Sequence, residues 1–272
     1  MQKVFDVGMN NGDDTAYYLH RGFDVVAVEA NPALCAVART RFDEHVRSGR
    51  LVIENVGIAS TSGEMTFWVS DQSEWSSFRE TSATKGNAKA TPIAVKTIRF
   101  GELLRDHGVP SFAKIDIEGH DRLCLEDMTQ SLRPRYVSVE MSHPDGDVDI
   151  NRLGQLGYET FKCVRQNDFV EINPDNISSQ LRRRRLLSRL GPFEGRVRGL
   201  IRRRVSSDGW QLPYGGSGPV PWELPGRWLS QGEVLAIWRQ LHDVDEELND
   251  KGLGEWFDIH AMCEATTEGF IS

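Results

Sequence analysis

The sequence predicts a mixed α/β fold built on a parallel sheet, and three observations support this prediction. Residues 3–7 form a short apolar run with one acid inside it, which is typical of a buried strand. A Gly-x-Asn-x-Gly turn follows at residues 8–12, and a helix is predicted to begin near Asp14 or Thr15 and to end at Gly22. Strand, glycine turn and helix start together indicate the opening of a nucleotide-binding α/β domain.

The composition of the glycine turn discriminates between nucleotides. A dinucleotide site uses G-x-G-x-x-G with a pyrophosphate at the helix start, whereas Asn10 stands here in the second glycine position and Asp13 and Asp14 follow. Two carboxylates would repel a pyrophosphate, and they suit a cationic ligand such as S-adenosylmethionine, with its sulfonium and ammonium groups. The alternative interpretation is an ordinary capped turn in an α/β protein.

A second buried strand, Phe23 to Glu29, also ends in an acid. The tip of the second strand is where a carboxylate accepts hydrogen bonds from both ribose hydroxyls, so Glu29 is predicted to bind ribose; a surface carboxylate is the alternative. Asn31 and Pro32 then begin a helix that ends before Gly49. The predicted buried face of this helix consists of apolar residues at helical spacing: Leu34, Val37, Ala38, Phe42 and Val46.

The third strand ends at Asn55, which is expected near the adenine. Residues 56–59 and 64–69 are predicted to pair as a hairpin around a Thr-Ser-Gly turn. A polar stretch covers residues 70–91, and within it residues 75–77 are predicted either to fold over the cofactor or to be disordered.

Two later strands repeat the acidic ending. One strand, near residues 112–116, leads into a cluster of ionisable groups and a glycine, and another covers residues 135–141. Charge at the carboxyl end of a strand is costly unless it is paired or used. The carboxyl ends of parallel strands meet at one edge of the sheet, so we expect four acids to lie together there: Asp6, Glu29, Asp116 and Glu140.

Four motifs within residues 3–164 resemble those of one family: F-D-V-G-x-N-x-G, V-E-A-N-P, K-I-D-I-E-G and V-S-V-E. They are similar to the FkbM family of S-adenosylmethionine-dependent O-methyltransferases. The resemblance implies a class I methyltransferase (Rossmann-like) fold with a seven-stranded sheet, and methyl transfer to a hydroxyl of a sugar, glycolipid or other natural product. The family's cofactor positions correspond to Asp6, Gly8, Asn10, Gly12, Glu29 and Asp116. The flanking residues expected to complete that site are Met9, Asp13, Thr15, Ala30, Asn31, Asn55, Val56, Gly57 and Ser77.

Methyl transfer to oxygen requires a base close to the cofactor, because the hydroxyl proton leaves as the new bond forms. His143 and His120 are candidates by their ordinary pKa, with a structural role as the alternative for each, and Asp116, Glu118 and Glu140 are candidates by position. Neighbouring acids can also hold Mg²⁺, but no spacing in the sequence demands it, so no metal is predicted.

The distal part is predicted to contain an insertion. A sixth strand is expected at residues 158–164 and a final strand at 254–263. The predicted organisation is therefore a cofactor domain over residues 1–165, an insertion over 166–250 that forms the acceptor cap, and a returning strand within 251–272. The alternative is an independent C-terminal domain. Four aromatic residues of the insertion suit stacking on a sugar or packing on the main domain: Trp210, Tyr214, Trp222 and Trp228.

The insertion also contains a strongly basic segment. Residues 182–204 hold ten arginines and one acid, a net charge of +9, interleaved with apolar residues as two short amphipathic helices broken at Gly191-Pro192. Such a segment is predicted to lie on an anionic membrane, to hold a small-molecule or carbohydrate acceptor that is anionic or lipid-linked, or to pair with the protein's own acids. Nucleic acid is the least favoured partner, because no nucleic-acid-binding module accompanies the charge.

Composition limits the class of protein. The 272 residues carry a net charge of −8 and four widely spaced cysteines, which favour a reduced, cytoplasmic protein. No run approaches the roughly 18 apolar residues needed to cross a bilayer, and no signal peptide precedes the first strand, so the protein is expected in the cytoplasm or at the inner face of the membrane. The rival hypothesis is a non-catalytic nucleotide-fold protein that reaches a membrane or partner through its basic segment.

Overall fold

The computed structural model describes residues 2–141, 145–190, 193, 197, 205–212, 216–248 and 255–264. The chain divides into two compact units, Met1–Val139 and Glu140–Ser272. Within the described ranges, no helix has the length and apolar character needed to cross a membrane.

The first unit is built on five parallel strands, as the acidic strand ends predict. The strands of this part of the chain are Lys3–Val7 (β1), Asp24–Val28 (β2), Leu51–Glu54 (β3), Gly57–Ile58 (β4), Gly63–Ser70 (β5), Ala90–Ile98 (β6), Phe112–Ile115 (β7) and Tyr136–Glu140 (β8). Five of them lie in the order β8-β7-β1-β2-β3, and all four neighbouring pairs are parallel. The helices are Asp13–His20 (α1), Pro32–Arg41 (α2), Asp43–Arg47 (α3), Glu80–Ala83 (α4), Phe100–His107 (α5) and Asp121–Asp127 (α6).

The predicted hairpin between residues 56–59 and 64–69 is wrong. Strand β4 pairs in parallel with β6, and β5 pairs antiparallel with the same strand, in the order β4-β6-β5. The physical reason is length, since the β5–β6 register runs from Gly63 opposite Thr97 to Ser70 opposite Ala90, whereas β4 has two residues. The long pairing also buries Phe67 and Val95. The polar stretch is therefore the connection of the β5–β6 hairpin.

The helix predicted after Asn31 is interrupted. Helix α2 ends at Arg41 and α3 begins at Asp43, with Phe42 between them at φ −114° and ψ 26°. Val37, predicted on the buried face, is 61% exposed, and Cys35 is buried instead. Asn31 caps α2 as predicted, because its side chain accepts a hydrogen bond from the N–H of Ala33.

The second unit centres on an antiparallel group of strands. Its strands are Thr160–Arg165 (β9), Val170–Ile172 (β10), Ser206–Ser207 (β11), Trp210–Gln211 (β12), Leu229–Ser230 (β13) and Phe257–Met262 (β14). Strand β9 pairs antiparallel with β10, β13 and β14. The helices are Gly146–Gln155 (α7), Ile177–Ser188 (α8) and Gln231–Glu247 (α9). The two predicted late strands are thus present as β9 and β14, while the predicted domain boundaries stay a prediction.

Part of the basic segment is paired within the protein. On α8, Arg183 binds Glu255 and Arg184 binds Asp245, each at 2.6 Å. Arg185 also contacts an acid at 2.6 Å, Glu247 of α9. For these three arginines the internal pairing is the observed arrangement. Residues 191–192, the predicted break between two basic helices, lie outside the described residues, as does most of the segment that follows.

Candidate active site

The first turn has a backbone that restricts its side chains. Gly8 and Gly12 have φ angles of 90° and 81°, and Asn10 between them also lies in the left-handed region at 48°. A Cβ atom on Gly8 would lie 1.8 Å from the carbonyl oxygen of Asp116, so only glycine fits beside β7. The N–H groups of Gly8 and Met9 both donate to the carbonyl oxygen of Val28, which joins this turn to the end of β2.

Glu29 forms the centre of that junction. Its Oε2 accepts a hydrogen bond from the N–H of Asn10 at 2.9 Å, and its Oε1 accepts one from the N–H of Asn31 at 2.7 Å. Burial raises the pKa of Glu29, although both N–H groups act in the opposite direction. A carboxylate has about four lone-pair positions, so two remain for a ligand.

The end of β3 supports the same junction. The side chain of Asn55 donates to the carbonyl oxygens of Glu29 at 2.9 Å and Ala30 at 3.1 Å. Val56 and Gly57 are buried next to it. The ring of Phe78 lies so close to Gly57 that an added Cβ atom would be 2.2 Å from it.

A buried lysine, Lys114, links three carboxylates. Its ammonium lies 3.3 Å from Asp6, 3.8 Å from Asp14 and 3.7 Å from Asp116, and it donates to the carbonyl oxygen of Gly8 at 2.8 Å. Burial opposes the charged form, but the three acids outweigh it and raise the pKa of Lys114. Asp6 is therefore inside the unit, whereas the side chain of Asp116 is 24% exposed.

The predicted cofactor residues on α1 also have protein partners. The hydroxyl of Thr15 donates to Asp6 at 2.6 Å. Asp13 pairs with Arg41 at 2.8 Å. Since Asp13 and Asp14 both contact protein cations, their charges give no separate support for a cationic ligand. Met9 is buried.

The turn after β7 has a fixed backbone. The carboxylate of Asp121 accepts hydrogen bonds from the N–H groups of Ile117 at 2.9 Å and Gly119 at 3.1 Å. Burial, followed by the charge of Asp116, raises the pKa of Asp121 to about 6. Glu118 has a φ angle of 48° in this turn. Burial raises the pKa of Glu118 to about 7, against the effect of Lys85, whose ammonium lies 3.3 Å away.

His120 is held by two contacts in the same turn. Its Nδ1 lies 3.2 Å from the carbonyl oxygen of Ile58, and its ring stacks on Phe78 with centroids 4.9 Å apart. Because a carbonyl oxygen only accepts, Nδ1 is the donor, and Nε2 has no hydrogen-bond partner in the described part of the chain. Burial lowers the pKa of His120, a shift that the Ile58 hydrogen bond opposes and the charge of Arg79 reinforces.

The polar stretch contacts this turn through Ser77. The Ser77 hydroxyl donates to the carbonyl oxygen of Glu118 at 3.0 Å, and the Ser77 backbone exchanges two hydrogen bonds with Trp68 of β5. This segment is folded against β5 and the turn after β7. Its contact with a cofactor stays a prediction.

The other two predicted catalytic residues, Glu140 and His143, come after the first unit in the chain. Glu140 ends β8 and is the first residue of the second unit. His143 lies outside the described residues. Among the candidate bases, the structure groups Asp116, Glu118 and His120 within one turn.

Sequence reasoning missed four residues that shape the site. Lys114 had a detectable signal, because a lysine inside an apolar strand requires buried carboxylates. Asp121 stands in the first turn of a helix, two residues after Gly119, and an acid at a helix start is a recognisable pattern. Phe78 and Arg79 had no local signal, since their contacts depend on how the polar stretch folds back.

The comparison with protein families agrees with the motifs. The Methyltransferase FkbM domain family matches residues 6–186, more than half of the chain. The hexuronic acid methyltransferase AglP of Haloferax volcanii is 28% identical over 173 residues, which are 61% of this chain and 68% of that protein. A crystal structure of the methyltransferase FkbM from Methylobacillus flagellatus KT aligns over 56% of this chain and 37% of its own length, at 14% identity and a TM-score of 0.40. The [4+2]-cyclase SpnF aligns over 97% of this chain and 76% of its own, at 10% identity and a TM-score of 0.39. The chain belongs to the FkbM methyltransferase family.

Proposed function

We propose that this protein is an S-adenosylmethionine-dependent O-methyltransferase that acts on a hydroxyl of a sugar, glycolipid or related natural product. The observation that carries the proposal is Glu29, a buried carboxylate that two backbone N–H groups hold at the end of β2. In this fold, that position accepts hydrogen bonds from the two ribose hydroxyls of a nucleoside. We also propose the seven-stranded class I arrangement, with residues 166–250 as the acceptor cap.

The residues of the first unit fit the proposed cofactor. The glycine turn leaves no side chain at Gly8 and Gly12, and the side-chain oxygen of Asn10 is buried without a hydrogen-bond partner in the described chain. Glu29 would hold the ribose, Asn55 would lie at the adenine, and the partly exposed Asp116 would hold the methionine ammonium. When bound, S-adenosylmethionine supplies an electrophilic methyl group on a sulfonium.

We assign the base to Nε2 of His120. The Nδ1–H···O contact with Ile58 fixes the tautomer in which Nε2 carries the lone pair, and the lowered pKa keeps the ring neutral at pH 7. The stacked Phe78 ring fixes the imidazole plane. Nε2 would then take the proton of the acceptor hydroxyl as its oxygen bonds to the methyl carbon and the bond between that carbon and sulfur breaks. The other two candidates in this turn are not assigned as the base, because Asp116 is proposed to bind the cofactor and Glu118 forms an ion pair with Lys85.

The relative AglP supports the proposed class of acceptor. AglP is named for methylation of a hexuronic acid, and a sugar hydroxyl is the acceptor that we propose here.

The test is transfer of a tritiated methyl group from S-adenosylmethionine to a panel of glycosides, followed by NMR of the product. We expect label in an O-methyl group of a glycoside. A protein that binds the cofactor but labels no glycoside would contradict the acceptor class, and one that does not bind the cofactor would contradict the whole proposal.

A further inference from the structure

Arg79 is anchored beside the turn that contains His120. Its N–H donates to the hydroxyl oxygen of Ser77 at 3.1 Å, and that hydroxyl donates to the carbonyl oxygen of Glu118. The backbone of Arg79 is therefore tied, through one side chain, to the turn after β7.

The guanidinium of Arg79 lies over Gly119. A Cβ atom placed on Gly119 would lie 3.6 Å from Nη1 and 3.8 Å from Cζ of Arg79. The absence of a side chain at Gly119, whose φ angle is 92°, thus leaves room for the guanidinium above the turn. Its charge is close enough to contribute to the lowered pKa of His120.

This guanidinium has no ion pair and no hydrogen-bond acceptor in the part of the chain that the structure describes. Glu118, in the same turn, is paired with Lys85. An exposed cation that lies next to a candidate base and has no counter-charge in the described part of the chain is suited to a negatively charged ligand.

We propose that Arg79 binds an oxyanion substituent of the sugar acceptor, a carboxylate or a phosphate, and so orients a hydroxyl toward Nε2 of His120. This inference rests on the proposed function and narrows its acceptor to an anionic sugar. The planar fork of arginine can donate two parallel hydrogen bonds to either group.

The experiment measures sugar binding by calorimetry with the full chain, both alone and saturated with S-adenosylhomocysteine. The probes are methyl β-D-glucuronide, methyl β-D-glucoside 6-phosphate and the neutral methyl β-D-glucoside. Each is titrated into the wild type, Arg79→Gln, Arg79→Lys and Lys89→Gln. Lys89 is an exposed lysine of the same connection, so its substitution removes an equal charge at another place.

We expect an anionic glycoside to bind about tenfold or more tightly than the neutral one, since charge-assisted hydrogen bonds are worth roughly 1.5–3 kcal/mol. The preference should vanish in Arg79→Gln, fall in part in Arg79→Lys and persist in Lys89→Gln. Whether the glucuronide or the phosphate binds better identifies the anion. A wild type without any preference for an anionic glycoside, or a preference that survives in Arg79→Gln, would overturn the proposal. A wild type that does not bind S-adenosylhomocysteine would instead count against the proposed function.

Discussion

At the scale of single residues, His120 has the properties of a general base. One ring nitrogen is occupied by the carbonyl oxygen of Ile58, and the ring is uncharged at neutral pH because burial lowers its pKa. A positioned base contributes about 10²–10⁴-fold to a rate.

We predict that His120→Gln lowers kcat by about 10²–10⁴-fold and leaves the affinity for S-adenosylmethionine unchanged. Glutamine can still donate to Ile58 but cannot accept a proton at neutral pH. The matched control is His20→Gln, which changes an exposed histidine of α1. Steady-state kinetics with each substrate varied in turn measures the effect, and a variant with wild-type kcat would assign His120 a structural role.

At the scale of elements, Lys114 joins β7 to β1 and α1. Its ammonium is surrounded by Asp6, Asp14 and Asp116, and the side chain is 4% exposed. Removing one partner from a buried ionic group leaves uncompensated charge in a medium that solvates it poorly.

Lys114→Met should therefore lower the free energy of unfolding by about 3–5 kcal/mol. Lys96→Met on β6 is the control, because that lysine is exposed and its substitution should change stability by about 0.5 kcal/mol or less. Urea unfolding followed by circular dichroism measures both. Equal stability of the two variants would mean that the three acids are protonated or solvated in the folded protein.

Some of the strands and helices could be predicted from the sequence, and others could not. Strands β1, β2, β7 and β8 could be predicted, because an apolar run with an acid in it or directly after it is a local pattern. The pairing of β5 with β6 could not, since residues 71–89 separate the two strands and local turn signals favoured the nearer partner. The break at Phe42 was also hidden, because the helical spacing continues through it while the ring turns toward Gly12.

The candidate site also contains residues that could be predicted from the sequence and residues that could not. The proposed roles of Gly8 and Glu29 follow from the order of strand, turn and helix, which can be read from the sequence. The neutral state of His120 and the position of Arg79 depend on Ile58, Phe78 and Ser77, which contact them only after long-range folding.

At the scale of the whole molecule, a buried histidine gives stability a pH dependence. His260 on β14 has 0% exposure, and neither ring nitrogen has a hydrogen-bond partner among the residues described. Burial, followed by the charge of Lys162, lowers the pKa of His260 to about 3. The unfolded chain, with an ordinary histidine pKa of about 6.5, takes up the proton first, so stability falls as the pH decreases below that value.

We predict that the wild type loses about 2 kcal/mol of unfolding free energy between pH 7.5 and pH 5 through this residue. In His260→Phe this contribution should disappear, and an apolar ring forfeits no hydrogen bond at that position. The difference between the two urea-unfolding profiles isolates His260 from groups such as Asp121, whose raised pKa acts in the opposite direction. Parallel profiles would show that His260 is hydrated and titrates normally.

The most direct test of the proposed methyltransferase is calorimetric titration of S-adenosylmethionine into the wild type, Glu29→Gln and Glu64→Gln. Glu64 is an exposed acid of β5 and serves as the control for loss of charge. The proposed function predicts one cofactor per chain and an affinity at least about tenfold lower in Glu29→Gln than in the wild type, because a charge-assisted hydrogen bond contributes roughly 1.5–3 kcal/mol. It also predicts unchanged affinity in Glu64→Gln. A wild type that does not bind S-adenosylmethionine, or a Glu29→Gln variant that binds it as tightly as the wild type, would contradict the account.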